Sequence, residues 1–142
     1  MERMDSLPVD VVTRFRDAFI AHDPDAAIAL LAPDFVMYPA ASSEPARGPE
    51  AGRAMFRAFM DTFDDFQYLG EMSGAVWDGG PTEARVGLFR GQVDGVPAQS
   101  ISLLQLDDDD RIAVMTVMVR PLAALTEFSE RVQAHLKATS DR

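Results

Sequence analysis

The sequence predicts an α+β fold in which a curved antiparallel sheet carries helices on its concave face. Two observations carry this. The first half of the chain shows apolar residues at helical spacing broken by a single short strand, and the second half switches to period-two patterning divided by tight-turn signals. The expected element order is α-α-β-α-β-β-β-β-α. Strands joined by tight turns form an antiparallel meander, and helices gathered at one end of the sequence pack together on one face of it.

Ser6 and Pro8 mark the entry to the first helix, with Val12, Phe15 and Phe19 on one face. Asp23 and Pro24 supply the N-cap and first turn of the second helix, whose apolar side is Ile28, Leu30 and Leu31 and whose end is Pro33. Asp34 to Pro39 reads as a strand and runs into a loop that reaches Gly48. Pro49 opens the third helix, with Met55, Phe56, Phe59, Met60 and Phe63 as its stripe.

The meander follows. Its strands are Phe66 to Trp77, Glu83 to Val93, Pro97 to Leu106 and Arg111 to Arg120. The turns are Asp78-Gly79-Gly80, Asp94-Gly95 and the acidic tip Asp107 to Asp110. Pro121 ends the last strand, and Leu122 to Leu136 reads as a closing helix. Gly70, Gly74, Gly87 and Gly91 lie inside strands, where they can bend the sheet. A bent sheet under helices forms a cone, and the open end of a cone can hold a small ligand.

The chain has 142 residues, enough for one domain spanning 1–142, and no internal repeat or linker is visible. With 13 Lys and Arg against 23 Asp and Glu, the net charge is −10, which disfavours nucleic acid and anionic membrane surfaces as partners. There is no cysteine, so disulfides, thiolate chemistry and Cys-based zinc sites are excluded. The first ten residues, MERMDSLPVD, lack the apolar core of a signal peptide, and the expected compartment is the cytoplasm.

No cofactor is expected. GPEAG and the Asp-Gly-Gly turn lack dinucleotide-fingerprint spacing, and there is no Gly-Lys-Ser/Thr element. His22 and His135 do not pair at metal-ligand spacing, and the Asp107–Asp110 run lacks the alternation and glycine of a calcium loop, so no metal is expected. The run reads as a solvated hairpin tip, His22 as a helix C-terminal residue and His135 as a surface one.

The stretch VVTRFRDAFIAHDPDAAIALLAPDFVMYP, the SEPARG loop, the DDDDRI turn and TVMVRPLAAL fall in the order and spacing of a known group. On these the chain resembles the NTF2-like superfamily, in the branch of the SnoaL-like proteins and ketosteroid isomerases. The resemblance implies a cone fold, one apolar pocket per subunit, and a homodimer packed through the outer sheet faces. In the isomerases an Asp base acts with an oxyanion hole made by a Tyr and a protonated acid. The base position, before the Pro that leads into SEPARG, is Tyr38 here. The Tyr position, within TRFRDAF, is Phe15. The acid position, within ISLLQL, is Ser102.

All three are replaced, so isomerase activity by that mechanism is not expected. Tyr38 and Ser102 remain as hydroxyls that could hold a substrate oxygen, and they are the candidate catalytic residues. The expected ligand wall is Phe15, Phe19, Tyr38, Phe56, Phe59, Ser102, Leu104, Met115 and Val117. The strand parity behind this turns Ser102, Leu104, Leu106, Met115, Val117 and Val119 inward, and Ile101, Leu103, Gln105, Thr116, Met118 and Arg120 outward. A missing base would come from Glu44, Asp64, Asp65, Glu71 or His22. The expected partner is a small hydrophobic molecule. Two functions remain open: a binding protein without chemistry, or a metal-independent acid-base enzyme (isomerase, cyclase or lyase) acting on a small apolar carbonyl or polyketide-like compound.

Overall fold

A computed structural model describes residues 10–74 and 83–140. The elements are α1 (Val11–Ile20), α2 (Pro24–Ile28), β1 (Leu31–Tyr38), β2 (Ala46–Arg47), α3 (Pro49–Thr62), β3 (Phe63–Gly74), β4 (Glu83–Val93), β5 (Val96–Leu106), β6 (Ile112–Arg120) and α4 (Leu122–Ser140). The expected helix entry at Ser6 and Pro8, and the Asp78-Gly79-Gly80 turn with Trp77, lie outside the described residues.

The expected order stands, with one addition. The two-residue β2 pairs with β1 inside what the sequence reads as a loop. Helix α2 is shorter than its apolar pattern suggests. Asp23 caps it by accepting a hydrogen bond from the Ala26 amide at 3.1 Å, but the helix ends at Ile28 and Leu31 already belongs to β1. Pro33 lies within β1 rather than closing a helix. Leu31 is buried as anticipated, but in a strand, while Leu30 is half-buried in the turn that leads into it.

The sheet order is β2-β1-β6-β5-β4-β3, antiparallel except for β1 on β6, which run parallel. The sheet is curved and does not close on itself. Register shifts interrupt β3–β4 pairing twice, and one more lies in each of the β1–β6 and β5–β6 pairings. One of the shifts on β3 depends on Gly91 across from it. A Cβ there would stand 2.7 Å from the Asp64 carbonyl oxygen, so only glycine lets β3 approach so closely. The β4–β5 hairpin turns on Asp94 and Gly95, both at positive φ (53° and 81°), as the Asp-Gly pair predicts. At the acidic tip, the Asp107 carboxylate accepts hydrogen bonds from the amides of Asp109 and Arg111 at 2.9 and 3.0 Å.

The core lies between the concave sheet face and the helices. It contains Val12, Phe15 and Phe19 of α1, Phe56 and Phe59 of α3, Phe128 and Val132 of α4, and Leu104, Leu106, Met115 and Val117 of the sheet. The parity expected for β5 and β6 therefore holds for those four sheet residues. Helix α4 is the element whose role sequence reading left unassigned: its Ala124, Phe128 and Val132 side is buried in the same core. Among the described residues no helix is long and apolar enough to cross a membrane.

Candidate functional site

Residues from five elements enclose a small apolar hollow beneath the concave face. Its walls are Phe19 of α1, Met37 of β1, Ala40 just beyond it, Met55, Phe56 and Phe59 of α3, Met115 and Val117 of β6, and Phe128 of α4. Its volume is about 10 Å³, room for little more than one water. Ala40, Met55 and Phe128 also line a wider cleft of about 240 Å³, so the two spaces share a wall. The cleft is bounded by Pro39, Ala40, Ala41, Ser42, Glu44 and Ala46 on the β1–β2 side, Ala51 and Met55 on α3, and Phe128, Ser129, Val132, Gln133 and Leu136 on α4.

Local sequence explains this shape. On α3 the residues one turn apart, Ala51 and Met55, turn to the cleft, and on α4 Phe128 and Val132 do the same at a spacing of four. The alanines of the β1–β2 segment leave room that larger side chains would fill. Ser42 shapes the rim by accepting a hydrogen bond from the Glu44 amide at 3.0 Å.

Of the expected wall, Phe19, Phe56, Phe59, Met115 and Val117 meet around the hollow. Phe15 and Leu104 are buried in the adjoining core and do not line it; Phe15 packs on Phe19 and Phe56 at ring-centre distances of 4.8 and 5.5 Å. Ser102 is buried on the concave face, in register with Gly87 and Val117. Tyr38 is not brought to this place. It is 43% exposed and in register with Thr116, hence with Leu103, on the opposite face from the Met37–Met115–Leu104 row. The expectation that its phenol looks into the hollow differs from this placement, because alternation along β1 gives the inward position to Met37. The structure does not bring the two candidate catalytic hydroxyls together.

Sequence reading missed Met37, Ala40, Met55, Phe128 and the α4 residues of the cleft. For Met37 a signal was present: Phe35 and Met37 alternate on one side of β1, which turns Tyr38 outward.

The acids proposed as bases separate. Glu44 stands on the cleft rim. Asp64 and Asp65 are exposed at the start of β3, and His22 is exposed at the end of α1 with φ 56°. Glu71 belongs to a polar cluster at the other end of the sheet. There it accepts hydrogen bonds from Arg85 Nε at 2.7 Å and from the Tyr68 hydroxyl at 3.1 Å, and Arg85 also pairs with Asp10. Tyr68 is pushed above the usual phenol pKa, first by burial and then by its hydrogen bond to Glu71. On α4, His135 is raised above the usual imidazole value because its ring nitrogens lie against the Arg131 carbonyl oxygen at 2.9 Å and the Asp61 carboxylate at 3.0 Å. One buried polar atom among the described residues, Ser100 Oγ, has no hydrogen-bond partner.

Several solved structures share this architecture. A steroid delta-isomerase from Pseudomonas aeruginosa superposes with a TM-score of 0.78 at 24% identity over 93% of each chain. A bacterial protein with a cystatin-like fold from Silicibacter pomeroyi gives 0.81 at 19% identity, covering 92% of this chain and 88% of that one. An NTF2-like protein from Burkholderia xenovorans gives 0.60 at 15% identity, over 77% of this chain and 79% of the other. At these identities the likeness establishes the fold. A comparison with curated proteins finds no match. The sequence profile of the SnoaL-like domain matches residues 12–115. With most of the chain covered by that match and its sheet and helices arranged as in NTF2-like structures, the protein belongs to the SnoaL-like domain family.

Proposed function

We propose that the protein binds a small hydrophobic molecule in the cleft between α4 and the β1–β2 segment, with the apolar tip of the ligand turned toward Met55 and Phe128 and the hollow behind them. One observation carries this reading: five of the side chains expected from sequence to form a ligand wall surround a hollow that shares Ala40, Met55 and Phe128 with an open cleft. At about 240 Å³ the cleft is smaller than the ~300 Å³ at which pockets for drug-sized ligands begin, so the ligand is compact. In this reading the protein is no ketosteroid isomerase. Phe15 offers no hydroxyl, Met37 rather than an acid faces inward at the end of β1, and Ser102 has no ionisable group.

The reading includes a homodimer. By register, Met72, Val86, Leu103, Thr116 and Tyr38 form one row across the outer sheet face, and Leu88, Ile101 and Met118 form another. Met72 at 56% and Met118 at 46% exposure are large apolar side chains left in water in the single chain. A second copy would cover them. Tyr38 then belongs to the subunit interface.

Titration with a compact neutral fluorophore such as 2-naphthol tests the binding reading. Saturable binding, lost when Ala51→Trp fills the cleft, supports it. Non-saturable binding, or binding undiminished in that variant, places the fluorophore outside the cleft and overturns it. The second reading, an acid-base enzyme on a small apolar carbonyl compound, is favoured by one observation: Glu44, among the acids that could serve as base, stands on the cleft itself. Turnover lost in Glu44→Gln with ligand affinity retained would select it.

A further inference from the structure

We infer that the cleft selects a small apolar amine over a carboxylic acid of the same shape. The inference rests on the reading of the cleft as the ligand site, and it names the chemistry of the ligand's polar end.

Glu44 is the one ionisable side chain among the described residues that line the cleft. The other polar groups there, Ser42, Ser129 and Gln133, are neutral and can donate or accept. No lysine or arginine is among the described lining residues. Arg47 follows Ala46 in sequence, but β1–β2 register pairs it with Val36, on the face opposite to the Ala46–Met37 pair. Arg53, one turn into α3, is held by Glu50 and Asp25. The N-terminal end of α3, whose dipole would favour an anion, already carries Glu50 in its first turn.

A ligand with its apolar body against Ala51, Met55, Phe128 and Val132 therefore directs its polar end to a rim whose described lining residues carry one negative charge and no cation. A carboxylate there meets a like charge. An ammonium gains a partner, and a hydroxyl can donate to Glu44 or exchange hydrogen bonds with Gln133. The whole-chain charge of −10 acts in the same sense at longer range. Glu44 is exposed, so the discrimination is modest: about tenfold between amine and acid, from one favourable and one unfavourable exposed pair.

The test is a backbone-amide NMR titration of the full chain with 3-phenylpropylamine, 3-phenylpropanol and 3-phenylpropanoate, in wild type and Glu44→Gln. The expected result is shifts at Ala40, Met55 and Phe128 for all three, dissociation constants in the order amine, alcohol, acid, and a gap between amine and acid that shrinks to threefold or less in the variant. Equal or reversed affinities at those residues, or a gap that survives Glu44→Gln, would overturn the charge selection while leaving the binding reading intact. No shifts at those residues with any of the three would overturn both.

Discussion

The concave face of the sheet behaves differently at its two ends. Toward β3, side chains close it. Phe66 stacks on Phe89 at 4.8 Å and Tyr68 meets Phe89 at 5.3 Å. Gly87 makes space for that ring, since a Cβ there would come within 3.0 Å of it. Beyond lies the Tyr68–Glu71–Arg85–Asp10 cluster. Toward β1, under α4, the same curvature is lined by Ala40, Ala41, Ala46 and Ala51 with the flexible Met37, Met55 and Met115, and space remains. Backbone curvature makes a cone at both ends; side-chain volume decides which end is hollow. Rings interlock and seal, whereas alanines do not fill and methionines adapt to what enters.

The comparison can be broken most forcefully at the closed end. Phe89→Ala should cost about 3–5 kcal/mol, because a fully packed ring is lost and its neighbours relax only partly. Chemical denaturation measures this, and a loss below about 1 kcal/mol would mean that this end is not sealed. At the open end Met55→Ala should cost only about 2 kcal/mol, the low end of its class, since the side chain already borders empty space. The same substitution should tighten binding of bulkier apolar probes, which Phe89→Ala should not do.

A smaller effect of opposite sign is expected at Ser100. Its hydroxyl is buried between Phe89 and Val119 in register and has no partner among the described residues, so Ser100→Ala should raise stability by about 1 kcal/mol. A destabilised variant would show that the hydroxyl is hydrogen-bonded in solution.

The smallest effect concerns how α4 is held over the open end. His135 on α4 faces Asp61 on α3, and its raised pKa means that the folded state binds the proton more tightly than the unfolded chain. That contribution is complete below about 6.5, the unfolded value, and is lost as pH rises through the folded one. Imidazole NMR should show His135 titrating above 6.5 in wild type and lower in Asp61→Asn; an unchanged midpoint would remove Asp61 as a cause.

Most of the fold was legible because it rests on local chemistry. Asp94-Gly95 demanded a hairpin, Asp23-Pro24 capped a helix, and the Met55–Phe59 stripe had one period. The end of α2 was not legible. Ile28, Leu30 and Leu31 are apolar in either a helix or a strand, and pairing of Leu31 with Ile112 on the distant β6 decided for the strand. The hollow was half legible. Phe19, Phe56, Phe59, Met115 and Val117 follow from periodicity and parity, but Phe128 depends on how α4 folds back, which no local pattern states. Tyr38 was assigned by family position, and the alternation of Phe35 and Met37 points it the other way.

The methionines offer the most direct measurement. Met37, Met55 and Met115 border the hollow, while Met72 and Met118 lie on the outer face. In a methyl NMR titration with a small neutral probe such as indole, the predicted result is shifts at Met55, Met37 and Met115 with Met72 and Met118 unmoved. Shifts confined to Met72 and Met118, or none at the three inner methyls, would contradict a ligand site beneath α4.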